Sequence, residues 1–122
     1  MTKRVSFIHH RGAEILFIDW SNSTAPEVLE AMKEAKRIMA ERPQGSVRTL
    51  TYVLNSRVDR TVTDALKEYV AHNKPFVLAG AVVGLNDLKM VIFNFVNRVT
   101  GRNLRAMETI EEAKDWLAAA KP

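Results

Sequence analysis

The stretch from Leu50 to Thr61 constrains this chain more than any other. Its first residues, through Leu54, are β-branched, aromatic or apolar and read as a strand; Asn55 to Thr61 reads as a polar loop, and a helix follows. Strand, loop and helix in that order form the unit of alternating β/α domains. The loop leaving the strand's carboxyl end is where such domains usually place function.

The rest of the chain repeats this unit. Lys3–Ile8 and Glu14–Trp20 read as strands joined by His9–Ala13, a glycine-containing connection that suits an antiparallel hairpin. Ile15 to Ile18 is continuously apolar, as in a strand covered on both faces. A first helix follows Ser21–Thr24: Thr24 and Glu27 have capping-box spacing, and Pro26 sits in the first turn. Val28, Leu29, Met32, Ala35 and Met39 recur at helical spacing, and Arg42–Gly45 ends the element. Val47–Leu54 is the third strand. A second helix is expected from about Thr63 to His72, with Val62, Leu66, Tyr69 and Val70 on its buried stripe. Asn73–Pro75 stops it, and Phe76–Val83 reads as another doubly covered strand. Gly84 and Asn86 open a third helix, in which Leu85, Leu88, Val91, Ile92, Phe95, Val96 and Val99 keep a 3.6-residue period until Thr100-Gly101. Asn103–Met107 forms a short strand. Thr109 and Glu112 then cap a last helix carrying Ala113, Trp116 and Leu117.

The expected fold is therefore α/β, in the order β-β-α-β-α-β-α-β-α. One mixed sheet is covered by helices, and strands two to four run parallel. Loops leaving the carboxyl ends of parallel strands gather at one pole, with the following helix N-termini beside them. Here these are Ser21–Thr24, Asn55–Thr61 and Gly84–Asn86, which makes Asn22, Ser23, Gly84 and Asn86 the pole residues to watch.

Composition narrows the functional classes. A length of 122 residues suits one domain, and 47% hydrophobic with 26% charged residues is ordinary for a globular chain. With no cysteine, disulfides, thiolate catalysis and cysteine-ligated zinc are excluded, and a reducing, cytoplasmic setting is expected. Val5–Ile8 meets His9-His10 too soon for a signal peptide, and no apolar run approaches the ~18 residues of a membrane span. The net charge of +4 is spread among interleaved acids, as in Lys33–Arg37 and Glu111–Asp115. Binding to nucleic acid is therefore not expected.

Ile15–Asp19 before the first helix, Asn73-Lys-Pro75 before a strand, Ala81–Gly84 before a helix, Thr100–Arg102 and Glu111–Leu117 carry a family likeness. Through them the chain resembles the STAS domain, the fold of bacterial anti-sigma-factor antagonists and of sulfate-transporter tails, in a sporulation-antagonist-like branch. The resemblance spans nearly the whole sequence and includes no catalytic signature. It implies a cytoplasmic bacterial protein that docks on a partner without enzymatic activity. It also implies a phosphorylated serine, in an Asp-Ser-Ser-Gly-like motif, at the start of the second helix. Asn55–Thr63 lacks the serine pair and the glycine; Asp59 and Thr61 stand nearest the acidic residue and the phosphoacceptor.

The candidate residues each carry a bland and a sharp reading. Asn55, Ser56, Arg57, Asp59 and Thr61 form the partner or phosphoswitch loop. Ser56, Thr61 and Thr63 suit helix N-caps, and a phosphate on Thr61 would meet the helix dipole with Arg57 or Arg60. His9-His10 reads as polar turn residues, because adjacent side chains diverge too far to chelate. Asp19 and Asp59 are turn formers unless a pocket brings them together. Gly80 and Gly84 lack phosphate-loop spacing. Met90 and Phe93, with Val96, widen the third helix's apolar face, either as buried packing or as a contact surface.

No cofactor or metal is called for. The expected role is an interaction or regulatory module with a protein partner or a second copy. The alternative is a carrier of a lipid or other apolar small molecule beside the third helix. An anion-binding enzyme built on Asn55, Arg57 and Asp59 ranks last.

Overall fold

The structure is a computed structural model that describes residues 3–122. It contains β1 (Val5–His10), β2 (Ala13–Asp19), α1 (Ala25–Ala40), β3 (Val47–Tyr52), α2 (Arg60–Asn73), β4 (Val77–Val83), α3 (Asp87–Thr100), β5 (Arg105–Met107) and α4 (Ile110–Ala119). That is the expected order. The strands lie as β1-β2-β3-β4-β5, with β1 antiparallel to β2 and the other pairs parallel.

This strand order dictates the layers. Each β-α-β crossover steps one strand over in the same direction, and right-handed crossovers then put their helices on one face. α1, α2 and α3 share that face, over a core built from Leu16, Ile18, Val28, Met32, Val62, Tyr69, Val70 and Val96. α4 follows the last strand and covers the opposite face through Ala113 and Leu117 on Ile15, Leu50, Ala81 and Val83. Between the two layers β2 sends Leu16 and Ile18 one way and Ile15 and Phe17 the other. A run with no polar interruption is what such a strand requires.

Local signals explain most boundaries. The Thr24–Glu27 capping box closes in both directions, with Glu27 N–H on Thr24 Oγ1 at 3.4 Å and Thr24 N–H on Glu27 Oε1 at 2.9 Å. These bonds from Thr24, with the Arg4 guanidinium beyond them, hold the Glu27 carboxyl below its usual range. Thr109 accepts from Glu112 N–H at 3.1 Å at the start of α4. Arg48 caps the other end, donating to the carbonyls of Leu117 and Ala120, both at 2.9 Å.

Four expectations need correction. The hairpin turn is Arg11-Gly12 alone, with φ of 51° and 79°, the twin left-handed residues of a tight two-residue turn. His9 and His10 are consequently strand residues on opposite faces. His10 Nε2 lies 2.7 Å from Asp115 Oδ1, tying β1 to α4 and, with Arg11 beyond it, holding that carboxyl below its usual range. Second, α2 begins at Arg60, because Asp59 Oδ1 accepts the Val62 N–H at 2.9 Å. Third, β3 ends at Tyr52, two residues early. Fourth, Val77, Leu78, Ala79 and Val82 of β4 are only half-buried: β5 is 3 residues long, and α4's buried contacts fall further along β4, on Ala81 and Val83.

Candidate functional site

The carboxyl ends of β2, β3 and β4 meet at one rim, and their loops are bonded to one another. Trp20 N–H donates to Tyr52 O at 2.8 Å, Asn22 N–H to Leu54 O at 2.9 Å, Arg57 N–H to Ser23 O at 3.0 Å and Val53 N–H to Val83 O at 2.8 Å. Asn55 Nδ2 adds a bond to Asn22 Oδ1 at 3.2 Å. Asn22, Asn55 and Gly84 turn the three chains back with φ of 53°, 57° and 96°. Asparagine and glycine are the residues that tolerate that conformation.

Most polar groups of the rim are spent on holding it. Ser23 and Ser56 are buried, and their hydroxyls donate to the carbonyls of Trp20 and Val53. Asp59 caps α2, and Asn86 caps α3 by accepting the Lys89 N–H at 2.8 Å. Ser56, Thr61 and Thr63 are not the caps the sequence offered. Thr63 Oγ1 donates to Asp59 O at 3.0 Å, and Thr61 is exposed in the first turn of α2. Asp19 accepts from the Ser21 N–H at 2.9 Å and its hydroxyl at 2.5 Å, so it and Asp59 each serve a local turn. Arg57, Arg60 and Thr61 are the exposed groups left on the α2 side.

Beneath the rim, between α2, α3 and the sheet, lies a cavity of about 90 Å³. Its walls include Trp20, Val58, Leu66, Leu85, Ile92 and Phe93, and are almost wholly apolar. Trp20 and Tyr69, 6.1 Å apart between ring centres, form its inner wall. Neither Trp20 Nε1 nor the Tyr69 hydroxyl has a hydrogen-bond partner among the described residues. Burial pushes the Tyr69 hydroxyl well above its ordinary range, offset in part by the charge of Arg102. Lys89 also lines the cavity; its Nζ donates to Val53 O at 3.1 Å, and burial draws its pKa below the usual lysine range.

α3 distributes its apolar residues in an unusual way. Only Val96 is buried, while Leu88, Val91, Phe95 and Val99 are 69%, 66%, 38% and 52% exposed. At about 100° per residue these four fall within an arc of roughly 80°, a continuous stripe facing away from the core. Met90 and Phe93, which the sequence leaves open between buried packing and a contact surface, are half-buried, and Phe93 lines the cavity. Leu88, Val91, Phe95 and Val99, which keep the helical period in the sequence, are thus the residues that face outward. Asp87 and Arg98 stand at opposite ends of the helix, both on the same flank of the stripe.

Sequence reasoning passed over Lys89. A signal was present: it interrupts the apolar period four residues after Leu85 and three before Ile92, on the inward side of the helix. Among the described residues no group of three or more His, Cys, Asp or Glu side chains is arranged to hold a metal ion, and no helix is long and apolar enough to cross a membrane. A scan against protein-family models, a search of curated proteins and a search of solved structures each returned no match.

Proposed function

We propose that the chain is a non-enzymatic, STAS-like interaction module of the bacterial cytoplasm whose contact surface is the outer face of α3, occupied by a second copy of itself. The observation that carries this reading is the exposed stripe of Leu88, Val91, Phe95 and Val99. A helix of a stable monomer normally keeps its apolar stripe inward.

Charge placement favours self-pairing. In an antiparallel two-fold arrangement Leu88 meets Val99 of the other copy, and Val91 meets Phe95. Because Asp87 and Arg98 share a flank, the same symmetry sets Asp87 of each copy beside Arg98 of the other. The opposed helix dipoles also attract. Asn94 lies on that flank close to the axis, and the chain has no native cysteine. Asn94→Cys should therefore form an intermolecular disulfide under mild oxidation, whereas Lys33→Cys on the exposed side of α1 should not. Equal, slow cross-linking of both variants would remove the self-pairing assignment.

A second reading, carriage of an apolar small molecule, is supported by the cavity under the same helix. The rim, where STAS-like antagonists dock and are phosphorylated, offers exposed Arg57, Arg60 and Thr61 for a regulatory partner.

A further inference from the structure

Lys89 occupies a position that packing alone does not explain. It faces inward from α3, between Leu85 and Ile92, into a cavity whose other walls are nearly all hydrocarbon. The ammonium carries three donors. One of them reaches Val53 O at 3.1 Å, and among the described residues Lys89 forms no ion pair. Arg57 and Arg60 at the rim are exposed to water, where a free charge costs little, and the half-buried Arg4 is paired with Glu27. An apolar cavity with one incompletely paired cation in its wall is complementary to a hydrocarbon body bearing one negative charge.

We propose that the cavity binds a small apolar carboxylate, its hydrocarbon part held between α2, α3 and the sheet and its carboxylate paired with Lys89 Nζ. The proposal rests on the carrier reading and adds the chemical class of the cargo. Partial burial disfavours the bare ammonium, and a carboxylate partner returns what desolvation removes. Size limits the class further. A volume of about 90 Å³ restricts the hydrocarbon part to a short chain, so pentanoate serves as the probe and 1-pentanol as its neutral counterpart.

The test compares the two probes by calorimetry, with methyl resonances of Val62 and Val96 reporting cavity occupancy, on the full chain and on Lys89→Met and Lys89→Arg. The wild type should prefer pentanoate by at least about tenfold, Lys89→Met should abolish that preference while still binding pentanol, and Lys89→Arg should restore most of it. A lysine that merely pins α3 to the end of β3 would change stability in Lys89→Met without touching the preference. Equal affinity for both probes, unchanged by the substitution, overturns the carboxylate assignment and leaves the carrier reading intact. No shift of either methyl group with either probe overturns both.

Discussion

Gly84→Ala should lower the stability of the protein by about 3 kcal/mol, and its melting temperature by about 12 °C for a chain of this size. Two independent terms add. The residue has φ of +96°, and a Cβ there would sit 2.8 Å from the backbone nitrogen of Leu54 and 3.1 Å from its Cα. That neighbour is backbone and belongs to the bonded rim, where Val53 N–H holds Val83 O and Asn22 N–H holds Leu54 O. Relief requires the loops after β3 and β4 to separate. Gly12→Ala supplies the control, since φ there is +79° but nothing lies within 4 Å of the added atom. It should cost only about 1 kcal/mol, from backbone strain alone. Thermal melts of both variants check the difference, and equal losses would mean that the two loops are not packed against each other.

Leu117→Ala should cost a further 2–5 kcal/mol by opening a void in a fully buried site. Leu117, Ile15 and Leu50 are all 0% exposed and make up the centre of the smaller core. That core depends on a single helix of 10 residues. Loss of its main anchor also weakens the hold of Arg48 on the Leu117 and Ala120 carbonyls. Hydrogen exchange should accelerate first in α4, before the layer of α1 to α3 is affected. Exchange rising equally in all four helices, or a loss below about 1 kcal/mol, would show that α4 is not a separately anchored layer.

The element order was legible because each strand-to-helix switch changes the hydrophobic period and most junctions carry a cap. Thr24, Asn86 and Thr109 act as read, and the continuous run of Ile15 to Ile18 correctly implies cover on both faces. The rim was legible too, since parallel strands leave their loops on one side. The start of α2 was not. Ser56, Asp59, Thr61 and Thr63 all offer a capping oxygen, and in the folded chain it is Asp59 that reaches Val62 N–H, while the buried Ser56 bonds Val53 O. His9-His10 looked like a turn because both are polar, yet Arg11 accepts a left-handed conformation that no residue preference announces.

The outward arc of α3 was not legible, for a deeper reason. A helix apolar around most of its circumference has no sequence signal for which arc faces inward. Leu85, Ile92 and Phe93 turn to the cavity, and Leu88, Val91, Phe95 and Val99 to solvent. The position of Lys89 was the one local clue. The cavity itself was beyond reach, because it is lined jointly by α2, α3 and the sheet rather than announced by any one residue's identity.

Sedimentation equilibrium of the wild type beside Val91→Lys addresses the role of α3 most directly. Burying an aliphatic side chain of this size contributes about 1.5–3 kcal/mol, and the two-fold axis counts each substitution twice. The wild type should therefore sediment as a dimer at micromolar concentration and Val91→Lys as a folded monomer, with association weakened by at least about a hundredfold. A wild type that stays monomeric up to the highest soluble concentration, or a Val91→Lys chain that dimerises as readily as the wild type, would contradict the assignment of this face to a second copy.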